Sequence, residues 1–128
     1  MPSRRTAQTL RRVGALLMLV IAGVHFQQYV DFMSEVPTVG VLFLLNAAGG
    51  AGLLLTVLSG DRLIRGLAMS GSLALAAGSL VSIGIALSGS FFGYSEPTLR
   101  LPIVIAIVAE VLLIVVLIPP LVRNIRVS

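Results

Sequence analysis

An almost unbroken aliphatic run from Leu99 to Val122 carries one carboxylate, Glu110, near its middle. A stretch so long and so apolar has one stable environment, a lipid bilayer, whose hydrocarbon core of about 30 Å is crossed by about 20 helical residues. Backbone polar groups find no water there, so the run must be helical. Three further runs of similar length and character cover 13–32, 38–58 and 67–87. Hydrophobic residues make up 57% of the 128, charged residues only 11%, and the mean hydropathy is +1.06. The expected fold is therefore an all-α membrane protein, a four-transmembrane-helix bundle over 13–122. A basic N-terminal segment (1–12) and a short tail (123–128) flank it.

Charge sets the expected orientation. Arg4, Arg5, Arg11 and Arg12 precede the first run, Arg62 and Arg65 separate the second and third, and Arg123 and Arg126 follow the fourth. Eight of the nine arginines thus fall on one side, and Arg100 stands with Asp31, Glu35 and Glu96 on the other. The positive-inside rule places both termini in the cytoplasm. A basic start, an apolar stretch and Ala22-Gly23 also fit a cleaved signal peptide, and Ser3-Arg4-Arg5 a twin-arginine signal. The apolar residues run on past Gly23, however, and cleavage would break the in–out alternation, so a retained span is expected. Arginines at the ends of apolar runs anchor a chain to anionic lipid, so no nucleic acid is expected as a partner.

Small residues recur at Ser70, Ala74, Gly78, Ser82 and Ala86, a spacing of four that lines one face of a helix. With the Ala47-to-Gly52 patch of the second span, they predict that spans two and three are the most closely packed pair. The polar residues inside the spans share a level. At 1.5 Å per residue, His25, Asn46 and Ser79 lie about 10 to 12 Å below the outer surface, Ser82 about 8 Å and Glu110 about 16 Å. An acidic residue at the centre of a span is unfavourable by roughly 2.5 to 3.5 kcal/mol, so it should turn inward to polar partners. His25, Asn46, Ser79, Ser82 and Glu110 are the expected buried polar cluster. Gln28 and Tyr29, on the His25 side of the first span, would extend it outward, and the Ser88-to-Ser95 loop would lie at the headgroups or close over the bundle.

Several segments carry a resemblance: Gly23-Val24-His25 with Tyr29, the block from Val36-Pro37-Thr38 to Leu45-Asn46-Ala47, Phe92-Gly93-Tyr94-Ser95-Glu96, and Ala109-Glu110. Together they resemble a family of small four-span membrane proteins from actinobacteria. That resemblance implies architecture and a bacterial plasma membrane location, and it carries over no reaction, cofactor or catalytic residue.

No cysteine is present and His25 is the only histidine, which removes thiolate and disulfide chemistry and leaves no metal or haem ligand pair. No phosphate-binding glycine loop or nucleophile–base pair is evident. The expectation is a non-enzymatic accessory or scaffold protein without a cofactor, with lipid and either a membrane-protein partner or a second copy as its neighbours. The alternative is a small proton-linked carrier using Glu110. In size, span number and a single embedded glutamate the chain resembles small multidrug-resistance transporters, but their acidic residue sits in the first span and this one in the fourth. A quinone- or haem-binding enzyme built on His25 and Tyr29 lacks a second ligand.

Overall fold

In a computed structural model describing residues 1–127, the chain forms helices α1 (Arg4–Asp31), α2 (Val39–Thr56), α3 (Arg62–Ser88) and α4 (Leu101–Arg126). A single 3-10 turn, Met33–Glu35, lies between α1 and α2. Among the described residues there is no β-strand, and all four helices are long and apolar enough to cross a membrane.

The helix starts follow from their first residues. Ser3 Oγ accepts the Thr6 amide at 3.1 Å, so α1 begins at Arg4 and runs through the basic segment that the apolar pattern left outside the span. Asp61 Oδ1 caps α3 on the Ile64 amide at 2.8 Å. Pro102 occupies the first turn of α4, where its missing N–H removes no helical bond. Pro119 and Pro120 lie within α4, which nevertheless continues to Arg126. The carbonyls of Val115 and Val116 lose their amide partners there. At 28 residues, α1 extends about 42 Å, whereas the 18 residues of α2 extend about 27 Å. The excess length of α1 projects at the arginine end.

Successive helices alternate in direction. Arg62 at the start of α3 bonds to Asn124 at the end of α4 (2.9 Å), and Arg123 reaches back to the Pro2 carbonyl (3.0 Å). At the other end, Arg100 meets Gln28 at 2.9 Å. The core contains Met18, Ile21, Met69, Ala76, Ala109, Leu113 and Leu117.

Packing corrects one expectation. The closest neighbours are α1 with α2 and α1 with α4, whereas α2 and α3 share the slightest seam of the ring. Ser70, Ala74 and Gly78 remain exposed, the last two along an open groove beside α2, and α3 buries the opposite side through Ala68, Met69, Ser72 and Ala76. Only part of the α2 patch is used: Gly50 lies against Ala22 of α1, where an added Cβ would stand 3.3 Å from the alanine methyl. Spacing defines a stripe of small residues, but the bulk of the neighbouring helices decides which way it turns.

Candidate functional site: a buried imidazole–hydroxyl–carboxyl chain

Glu110 points into the bundle and is 0% exposed. Its Oε1 accepts the Ser79 hydroxyl of α3 at 2.6 Å, while Oε2 has no hydrogen-bond partner among the described residues. On the far side of the hydroxyl stands His25 of α1, its Nε2 at 3.3 Å from Ser79 Oγ and 4.0 Å from Glu110 Oε1. The Ile21 carbonyl holds Nδ1 at 2.8 Å, and the ring packs on Phe43 of α2 with centroids 5.1 Å apart.

Donor counting shows what this arrangement can do. A carbonyl only accepts, so Nδ1 must carry hydrogen, and Nε2 is the variable nitrogen. In one arrangement an imidazolium donates from Nε2 to Ser79, which donates to a carboxylate. In the other, a carboxylic acid donates to Ser79, which donates to the lone pair of Nε2. Both contain the same number of protons, and they interconvert when two hydrogens shift along the chain. Ser79 is therefore a switchable bridge between an acid and a base held on three different helices.

Of the sequence-derived cluster, His25, Ser79 and Glu110 come together, and two members do not. Ser82 turns back to the Gly78 carbonyl of its own helix at 2.8 Å. Asn46 is only 8% exposed, yet its Oδ1 is without a partner. Its level is right, but the α2 side chain packed on the His25 ring is Phe43, one turn earlier. Asn46 shares a groove of about 430 Å³ between α2 and α3 with His25, Ser79 and Ser82, but it makes no hydrogen bond to them.

The outward extension also differs in its members. Tyr29 takes no part, whereas Gln28 does, through Arg100 at the start of α4. Arg100 donates to Gln28 Oε1 (2.9 Å) and to Glu96 Oε1 (2.8 Å), and its guanidinium lies 4.7 Å from the Phe32 ring centroid. Tyr94 donates to Glu96 Oε2. The i,i+4 spacing of Glu96 and Arg100 was the legible signal for the ion pair, and nothing in sequence marked Gln28 as its third member.

The loop over the bundle is held down by the Arg100 contacts and the Glu96 amide, and its tip is a tight hairpin. Phe91 and Tyr94 exchange backbone hydrogen bonds at 2.7 and 2.9 Å, with Phe92 (φ 49°) and Gly93 (φ 79°) between them. Two successive positive φ angles define the tight hairpin turn, and glycine is the residue that adopts one freely. Beneath this loop is a cavity of about 70 Å³ whose wall includes His25, Gln28, Ser79, Tyr94, Glu96 and Arg100.

Burial alone would raise the pKa of Glu96, but the Arg100 and Tyr94 hydrogen bonds and the Arg100 charge outweigh it and hold the carboxyl below its ordinary 4.5. Burial, with the Glu96 bond and charge adding to it, pushes the Tyr94 phenol up to about 12. A depressed acid stabilises the closed loop above its unfolded-state pKa, and that contribution is lost as pH falls through the folded value. Acidification below 4.5 should therefore speed amide exchange at Glu96, whose N–H bonds the Ala86 carbonyl at 2.8 Å. Glu96→Gln should abolish that acid limb; exchange that does not vary with pH beyond its intrinsic dependence would refute the assignment.

No protein-family model, curated protein or solved structure matches this chain. Fold and site together describe an all-helical, multi-pass-length bundle built around a buried acid–base pair.

Proposed function

We propose that this chain is a non-enzymatic, multi-pass protein of the bacterial plasma membrane, with both termini in the cytoplasm. In this reading it is a small proton-linked carrier whose exchangeable proton resides on the His25–Ser79–Glu110 chain. The observation that carries this reading is the Ser79 hydroxyl, 2.6 Å from a fully buried carboxyl and 3.3 Å from an imidazole nitrogen. Magnitudes favour it over mere structural glue. Interhelical hydrogen bonds in membranes average under about 1 kcal/mol, whereas embedding an acidic residue is unfavourable by about 2.5 to 3.5 kcal/mol. A serine–asparagine bond would tie the helices without that penalty.

The orientation rests on the eight arginines at one end of the bundle. The cavity under the loop supports proton access from the opposite face: about 70 Å³ has room for about two waters at a liquid share of roughly 30 Å³ each. The groove beside Asn46 suits a small apolar solute bearing a hydrogen-bonding group. The exposed small residues Ser70, Ala74 and Gly78, beside that groove, favour a second reading, an accessory protein packing against a partner helix.

Infrared difference spectra of the reconstituted protein, stepped between about pH 4 and pH 8, test the proton reading. A protonated-carboxyl band should grow and shrink reversibly, and Glu110→Gln should remove it while leaving helicity unchanged. A carboxyl in one fixed state throughout that range would leave only a structural role.

A further inference from the structure

The arginine end of the bundle forms an open cavity of about 600 Å³ between the start of α1, the start of α3 and the end of α4. Arg4, Arg11, Arg62, Arg65 and Arg123 line it. Three of these five are oriented by neutral acceptors. Arg62 Nε donates to the Asn124 carbonyl (2.9 Å), Arg65 Nε to Asn124 Oδ1 (3.0 Å), and Arg123 Nη1 to the Pro2 carbonyl (3.0 Å). Such bonds fix the side chains without neutralising them. Asp61, the only acidic side chain in this part of the sequence, is committed to capping α3. Among the described residues no carboxylate forms an ion pair with any of the five.

Arg11 is the sharpest case. Its Nε is buried without an acceptor, and it faces the like charges of Arg65 and Arg12. Arginines that only satisfy the positive-inside rule can spread over the headgroup layer, each in its own water. Here three helices turn five of them to one concavity, where each raises the energy of the others. An anion of high charge density in the cavity would reverse that repulsion.

We propose that this cavity is a binding site for a phosphate-bearing anion, held by guanidinium forks from α1, α3 and α4. Phosphate suits the site because its tetrahedral oxygens accept paired N–H bonds from several arginines at once. The cavity lies where basic pockets between membrane helices meet lipid headgroups. A lipid phosphomonoester and free phosphate share the recognised chemistry, and the site is independent of the proton chain at the other end.

The test uses the full chain in neutral detergent, with short-chain phosphatidic acid and inorganic phosphate as probes and binding followed by native mass spectrometry. Arg4→Gln with Arg11→Gln removes two guanidiniums that, among the described residues, make no bond to the bundle. Arg5→Gln with Arg12→Gln removes the same charge outside the cavity. Phosphatidic acid should bind the wild type and the Arg5/Arg12 pair alike, and the Arg4/Arg11 pair at least about tenfold more weakly. Arg11→Lys, which keeps the charge but loses the fork, should fall between them. Competition by inorganic phosphate would identify the anion as a free phosphate, and its absence a lipid headgroup. Equal losses in the two pairs, or no binding of either probe to the wild type, would overturn the proposal.

Discussion

Ser79→Ala should destabilise the bundle by about 1 to 3 kcal/mol and disconnect the imidazole from the carboxyl. The hydroxyl is the only donor to Glu110 Oε1 among the described residues, and Oε2 already has none. Without it, a carboxyl that is 0% exposed has no hydrogen bond at all. His25 cannot replace the donor in place, because its Nε2 lies 4.0 Å from Oε1, beyond hydrogen-bond reach. Ser72→Ala is the matched control. Ser72 lies on the same helix and is the more deeply buried of the two, at 0% exposed, but it donates to the Ala68 carbonyl of its own helix at 2.7 Å and to the Met18 sulfur at 3.2 Å. Its removal strands no ionisable group, so a smaller loss is expected. Denaturation in mixed micelles, followed by circular dichroism, measures both. Introducing Glu110→Leu together with Ser79→Ala should cancel most of the serine effect, since no carboxyl then needs the donor. Equal losses for Ser79→Ala and Ser72→Ala, or an undiminished Ser79→Ala effect in the Glu110→Leu background, would mean that the carboxyl does not depend on this contact.

What sequence made legible here was position along the membrane normal. Apolar run lengths gave four helices, and counting from the run ends put His25, Ser79 and Glu110 close enough in height to meet. A rise per residue fixes depth, but it says nothing of which way a side chain faces around its helix. Asn46 shows the gap: it sits at the correct level and beside the correct helices, but Phe43 reaches the imidazole first. The stripe on α3 fails in the same way. Its period is plain in the sequence, and its direction is set by Met69 and Ser72 packing against the other helices. Loop geometry was the least legible, because closure depends on Gln28 and Arg100, 72 residues apart, meeting above the pocket. A local pattern contains no trace of that encounter.

The corner between α1 and α2 governs whether the site keeps its shape, and Gly40→Ala should break it. A Cβ at Gly40 would stand 2.2 Å from the Met33 carbonyl oxygen and 3.3 Å from Ser34 Cα. Both obstacles are backbone, so no side-chain rotation relieves the overlap, and the 3-10 turn or the first turn of α2 must move. That turn is already constrained: Thr38 enters α2 at φ 65°, and the Gly40 amide is bonded to the Val36 carbonyl at 2.9 Å. Overpacking of side chains typically destabilises by about 1 to 3 kcal/mol. An overlap with main chain should reach at least about 3 kcal/mol, a large share of a total of roughly 5 to 15 kcal/mol. Gly78→Ala is the comparison, since its added methyl meets nothing within 4 Å and alanine is the better helix former. It should be neutral or mildly stabilising. Because Met33, Val39 and Phe43 share the wall of the cavity above His25, a displaced corner should also loosen the loop and speed exchange at the Glu96 amide. If the two alanine variants prove equally stable, the corner yields readily, and the cavity above the imidazole owes its shape to the Arg100 clamp alone.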